Sequence, residues 1–441
     1  AACQLEQAWH DVVLGRLRAG TTAAEGDVFW TALLHEVHVC TERTRGVALS
    51  ANLTNACRRA LDKLLLEWSG ADVDAFTAGM AKFADRILCN KTASAATVEQ
   101  QLDAFEVVLS SFLYKDAFIQ VFMPLTAQRL MRGAYTSLDL ERRMIAMVKQ
   151  WMGLIDAGRM QDMLSECLLN LHEDPTRLPV PPYLVSRDGH SLIWLMSADE
   201  AGGGDPSLVR VAPRVYSRNW PKTFVEVPET FTPHASLHAL LQPSTNHYLP
   251  KTGHCRLLHW TWGMGAADVA VYVGGHTYQI TVTSLQASCL MFFNDRAEWT
   301  FADLAREMKI PEAMVRRSLH PLTRLVQKGK KLPGVLEFRG DAVGVCRAFK
   351  SAFRTPRFPA PVYQEVQVDR ESLVTERRFM VEAFVVRIMK TRQCLKMSDL
   401  VAEVIHGIHR APIAPADVKR AVESLIERDY LCRSERDLAL I

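Results

Sequence analysis

The sequence predicts a mainly helical fold with an α+β portion, and three observations carry that prediction. Apolar residues recur at helix spacing through the first 170 residues, where Pro124 is the only proline. A strand-like stretch from Ala270 to Val282 is broken once, at Gly274-Gly275-His276. Two later stretches each read as a pair of short helices followed by a wing.

The helical part comes first. Leu5, Trp9, Val12, Val13 and Leu17 share one face of an opening helix. Val73, Phe76, Met80, Phe83, Ile87 and Leu88 share another, and so do Val98, Leu102, Phe105, Val108, Leu109 and Phe112. Leu102, Phe105, Leu109 and Phe112 are expected in the core. Pro124 has no N–H to donate and is expected to end or kink a helix near Met123. Composition shifts at Asp174-Pro175 and again at Pro179-Val180-Pro181-Pro182. Gly202-Gly203-Gly204 then reads as a flexible connection. These changes set the helical residues 1–172 apart from 173–208, which read as an insertion or linker.

Residues 209–298 are expected to form a small α/β domain, with a hairpin at the double glycine. Thr300 then looks like an N-cap with Asp303 three residues on. Pro311 suits the first turn of the next helix, whose face is Met314, Val315, Ser318, Leu319 and Leu322. With Val335-Leu336-Glu337-Phe338 as wing, residues 299–346 read as a winged helix. Lys328 to Lys331 is a basic loop, and 347–370 is a basic, Pro-containing linker. Residues 371–441 repeat the winged-helix pattern. Their first helix is expected from about Glu376 to Thr391, with Phe379, Ala383, Val386 and Met389 or nearby residues buried.

Composition narrows the function classes. Hydrophobic residues make up 48% and charged residues 23% of 441, as in an ordinary globular chain of several domains. A net charge of +3 gives no global electrostatic case for nucleic acid or an anionic membrane. The ten cysteines are scattered, with no Cys-x-x-Cys, which points to reduced thiols in the cytoplasm or nucleus. The chain opens Ala1-Ala2-Cys3 and is expected to be the C-terminal part of a longer protein.

Candidate chemistry is sparse. His35-Glu36-Val37-His38 is one residue short of a zinc-protease motif; with Cys40 it reads better as a mixed helix face than as a metal site. His234 and His238 lack a third ligand type at a recognised spacing. Gly263-Met264-Gly265 lacks the third glycine and preceding strand of a nucleotide fingerprint. No catalytic residue set, cofactor site or metal site is predicted. Residues 370–441 hold 13 Lys and Arg against 11 Asp and Glu, and Glu423, Glu427 and Asp429 on or beside the last helix would repel phosphate. A winged helix used for protein contacts therefore outweighs a nucleic-acid-binding one, which stays as the alternative.

One segment is more specific. Val385-Val386-Arg387-Ile388-Met389-Lys390-Thr391-Arg392 ends an apolar helix in a lysine. This block resembles the neddylation domain of the cullins, the scaffold subunits of RING-type ubiquitin ligases. Other stretches follow in family order. Lys115-Asp116-Ala117-Phe118 with Ala127, Arg129 and Leu130 resembles the family's Lys-Asp-x-Phe…Leu-Ala-x-Arg-Leu-Leu. Trp220-Pro221 is similar to its Trp-Pro, and Gly265-Ala266-Ala267-Asp268 to its Gly-Ser-Ala-Asp. Ser284-Leu285-Gln286 with Phe293-Asn294 is similar to its Thr-x-Gln…Phe-Asn. Pro415-Ala416-Asp417 leans weakly toward the cullin-four branch. The family's closing Tyr-x-Tyr-x-Ala is missing, and its His-Ser-Gly-Arg is Thr252-Gly253-His254-Cys255-Arg256 here.

The resemblance implies the end of a third helical cullin repeat (residues 1–92), a four-helix bundle (93–172), an α/β domain and two winged helices. It implies a non-catalytic scaffold that holds a RING-box protein and, through it, a ubiquitin-conjugating enzyme. Lys390 would accept a ubiquitin-like modifier through an isopeptide bond, within the motif Arg387, Ile388, Met389 and Arg392. An adaptor would bind through repeats absent from this chain.

Overall fold

The structure is a computed structural model. It describes residues 2–21, 26–44, 50–70, 72–171, 176–179, 193–195, 208–211, 220–221, 227–238, 241, 260, 262–263, 265–327, 330–359 and 368–433. The chain divides into two compact units. One comprises Ala1–Leu168, Tyr216–Thr223 and Val366–Ile441; the other comprises Leu169–Val215 and Phe224–Glu365.

The first unit begins with eight helices: α1 (Ala2–Thr21), α2 (Gly26–Thr44), α3 (Ser50–Ser69), α4 (Val73–Cys89), α5 (Ala95–Ser111), α6 (Lys115–Arg132), α7 (Leu138–Met152) and α8 (Leu154–Leu171). Side chains set several starts. Asp72 accepts from the Asp74 and Ala75 N–H groups, Ser94 from Thr97 and Ser137 from Asp139. The expected core is present: Leu102, Phe105, Leu109 and Phe112 are all buried. Only Val13 and Leu17 of the α1 face are buried, whereas Leu5 and Val12 are about half exposed. α1 packs chiefly against α2 and α3, so it buries a narrower stripe than its apolar face offers.

Pro124 does not end its helix; α6 runs on to Arg132. Phe118 and Phe122 before it and Ala127 and Leu130 after it are all buried, and this packing holds both halves in one helix.

The second unit contains strands β1 (Thr176–Pro179), β2 (Ile193–Leu195), β3 (Leu208–Val211), β4 (Ala266–Val273) and β5 (His276–Thr283). β1 pairs with β3, and β2-β4-β5 form an antiparallel sheet. The predicted hairpin is there: Gly274 and Gly275 adopt φ of 61° and 81°, which a two-residue turn between twisted strands requires. Gly202-Gly203-Gly204 lies outside the described residues.

Next come α9 (Ser284–Met291), β6 (Glu298–Thr300), α10 (Phe301–Met308), α11 (Glu312–Leu319), β7 (Arg324–Gln327), β8 (Lys330–Pro333), β9 (Leu336–Arg339) and β10 (Ala342–Val345). Thr300 caps α10 by accepting from Asp303 N–H, as expected. The sheet order β6-β10-β9 beside α10 and α11 is that of a winged helix. Lys328 and Gly329, in the predicted basic loop, fall outside the described residues. A single core joins the sheet to the winged helix: Val269, Ile280 and Leu290 share it with Phe301, Leu319 and Val343.

The C-terminal helices return to the first unit. They are α12 (Arg370–Arg392), α13 (Met397–Gly407) and α14 (Pro415–Glu427). Their shared core includes Val381, Val385, Ile388, Leu400, Val404, Val418 and Val422. The buried stripe of α12 thus runs through neighbours of the expected face, Val385 and Ile388 among them. Met389 is buried, but Phe379 and Ala383 are exposed and Val386 is only half-buried. Residues 434–441, where the family's closing segment would fall, lie outside the described residues. No helix among the described residues is long and apolar enough to cross a membrane.

Candidate functional site

Lys390 sits in the last turn of α12. The helix starts at Asp369, whose carboxylate accepts from Glu371 and Ser372 N–H, and ends where Gln393 N–H bonds the Met389 carbonyl at 2.7 Å. The two residues before the lysine, Ile388 and Met389, are buried against α13 and α14. Gly407 makes this packing possible, because a Cβ there would lie 2.5 Å from the Phe384 ring.

The neighbouring cations point elsewhere. Arg387 stacks over Phe384 with 4.4 Å to the ring centroid, and Arg392 pairs with Glu403 at 3.5 Å. Lys390 itself is exposed and makes no hydrogen bond or ion pair with any described residue. The result is a fixed backbone carrying an unpaired amine on a flexible stem.

A cluster of polar contacts mounts this helix on the eight-helix array. The Arg377 guanidinium bonds the buried Asp116 carboxylate at 2.5 and 3.1 Å. Arg410 pairs with the equally buried Asp156 at 2.7 Å, and its carbonyl accepts from Asp116 N–H at 3.2 Å. The Gln120 side chain donates to the Asp369 carbonyl and accepts from its N–H. Arg370 reaches Asp74 at 2.5 Å. Burial pushes the Asp156 carboxyl up, and Arg410 and then Arg159 pull it part of the way back.

Within the C-terminal helices, Glu382 is buried between Arg378 and Arg428, at 3.0 and 2.6 Å. Burial alone would raise its carboxyl, but the two arginines outweigh it and hold the group below the usual glutamate value.

The other motif residues do not converge on a pocket. Each fastens a local junction. Lys115 donates to the Phe112 carbonyl at the end of α5; burial pulls its ammonium down while Asp62 pushes it up. Phe118 is fully buried. Arg129 is buried against Phe122 and bonds Glu141 at 2.6 and 2.9 Å, with Asp85 on its far side. Trp220 donates to Glu166 at 2.6 Å, and Pro221 beside it is half-buried. The Gly265 carbonyl accepts from Ser284 N–H. Asp268 accepts from the Thr281 hydroxyl at 2.7 Å, and Gln286 closes a capping box with Thr283 while donating to the Ser318 carbonyl. Asn294 contacts the Met291 sulfur at 3.7 Å.

Among the described residues, no grouping of His, Cys, Asp and Glu could hold a metal ion. His35 is largely exposed, while burial pushes the Cys40 thiol up to about 11. His234 meets Asp295 at 3.1 Å, and His238 is exposed.

Lys390 and Asp116 stand in motifs of the sequence, but the partners Arg377, Arg410 and Asp156 do not. These are ordinary charges in the sequence, and the pairs they form span up to 261 positions. Asp116 stood inside a quoted motif, the one available signal.

Comparison with known proteins agrees with this layout. The sequence matches the models of the cullin alpha solenoid domain over residues 37–169, the cullin alpha+beta domain over 215–335 and the cullin protein neddylation domain over 376–437. Cullin-3A of Arabidopsis thaliana is 28% identical over 354 residues, covering 78% of this chain and 45% of that protein. Cullin-3 of Dictyostelium discoideum is 26% identical, covering 79% and 48%. Cullin-1 of Schizosaccharomyces pombe is 24% identical, covering 81% and 45%. The chain thus spans about half the length of the curated relatives it matches. These relatives add nothing to the lean of Pro415-Ala416-Asp417 toward the cullin-four branch.

Proposed function

We propose that this chain, which belongs to the cullin family, is a non-catalytic scaffold of a ubiquitin ligase that accepts a ubiquitin-like modifier on Lys390. The carrying observation is the exposed, unpaired amine at the end of an anchored helix, within the stretch that matches a neddylation domain. The ε-amine attacks the carbonyl carbon of a thioester-linked modifier. A C–N bond forms, the C–S bond breaks, the thiolate stays on the conjugating enzyme and the amine proton passes to solvent. The scaffold contributes position, which raises the effective concentration of the two reactants. The test is Lys390→Arg in a reconstituted conjugation reaction. It keeps the charge and removes the nucleophile. The single dominant conjugate disappears; a conjugate of undiminished intensity, carried for example by Lys396, overturns the assignment.

The scaffold role further requires a RING-box protein, placed in the cytoplasm or nucleus. The sheet β2-β4-β5 supports this reading, because β2 is a three-residue outer strand to which an extended segment can add. Deleting the N-terminal segment of the RING-box protein abolishes the complex in a pull-down; unchanged affinity refutes strand addition.

A further inference from the structure

We propose that residues 347–357 of the second unit form a binding strip for single-stranded nucleic acid. The chain-wide charge of +3 hides a local excess: residues 299–359 hold 13 Lys and Arg against five Asp and Glu. Four of those five acids are occupied. Asp303 pairs with Arg306, Glu312 and Asp341 share Arg316, and Glu337 meets Arg339. Arg347, Lys350, Arg354 and Arg357 are all exposed, and none has an acidic partner among the described residues.

The strip is a fixed surface. Phe349 is buried edge-on to Tyr278, with ring centroids 4.9 Å apart, and also meets Phe358. Pro356 is buried as well. The Arg354 carbonyl accepts from Gln279 N–H at 2.8 Å on the edge of β5. The Ser351 hydroxyl accepts from Phe353 N–H and donates to the Phe353 carbonyl. Against this inward packing, the Phe353 ring is turned out, 54% exposed, with no ring partner among the described residues. Lys350 precedes it, and Arg354 and Arg357 follow.

A fixed aromatic face between free cations complements a chain that alternates phosphates with flat bases. An acidic peptide would use the cations and leave the ring idle, and a duplex has no unstacked base to lay on it. The ordered backbone means that little ordering entropy opposes binding.

The test uses the full chain and fluorescent oligouridylate and oligothymidylate of about 12 nucleotides. Anisotropy is read from about 50 to about 200 mM salt, and four phosphate contacts predict a log–log slope of about −2.8. Arg354→Glu with Arg357→Glu brings the slope to about −1.4. Phe353→Ala, at a position 54% exposed, weakens binding about fivefold or more at unchanged slope. Three results overturn the proposal: no binding at about 50 mM salt, binding indifferent to both variants, or displacement by polyglutamate or a duplex as effective as by unlabelled oligonucleotide.

Discussion

Replacing Arg377 by alanine strands a buried carboxylate and loosens the mount of α12. Asp116 is only 4% exposed, and Arg377 supplies two bonds to it, at 2.5 and 3.1 Å. Removing one partner of a buried pair costs about 3–5 kcal/mol. The Arg377 side chain is a quarter exposed, so the lower end applies, about 3 kcal/mol. Hydrogen exchange of peptides covering Arg370–Arg392, measured in the full chain, reads this as local opening. Arg377→Ala lowers protection in the first half of α12 roughly 100-fold. Asp116→Ala leaves a guanidinium that water can reach, so it costs less. In the double variant the two effects do not add, because one interaction has been removed twice. A coupling below about 0.5 kcal/mol, within the scatter of independent sites, refutes the assignment of this pair as the mount.

Two more perturbations test other parts of the fold. Phe105→Ala removes a fully buried ring from the helical core and destabilises the first unit by about 3–5 kcal/mol in urea denaturation; a loss under about 1 kcal/mol contradicts its burial. The Glu382 carboxyl lies below its ordinary value of 4.5, so its contribution is present above that pH and is lost as pH falls through the folded-state value. Glu382→Gln therefore flattens the acid limb of α12–α14 stability, followed by exchange at low pH, and an unchanged limb excludes the Arg378 and Arg428 pairing as its source.

What was legible in the sequence was local. The Gly274-Gly275 turn and the Thr300 cap depend on residues within four positions of one another, and both formed where expected. The face of α12 was not legible, because apolar residues surround it: Phe379, Val381, Phe384, Val385, Val386 and Ile388 fall on several sides. Periodicity then selects no single stripe, and α13 and α14 decide which side is covered. Pro124 does not end α6 for a related reason, since tertiary packing overrode a local preference. Lys390 stands out only through its surrounding motif, since nothing in its own chemistry distinguishes it from other surface lysines. Its mount depends on pairs such as Arg377 with Asp116, which no local pattern announces.

α12 runs unbroken from Arg370 to Arg392, with Arg377 near one end and Lys390 near the other. Thirteen residues separate them, about 20 Å along the axis. The helix is thus a lever arm whose fulcrum is the Arg377–Asp116 pair. A tilt of about 10° at the fulcrum sweeps the amine through about 3.5 Å, as large as the separation of about 3–3.5 Å at which reacting atoms are held for attack. On the proposed acceptor role, substitutions on α6 or α8, which never touch the lysine, therefore shift the amine relative to an incoming thioester while leaving every residue of its own motif intact.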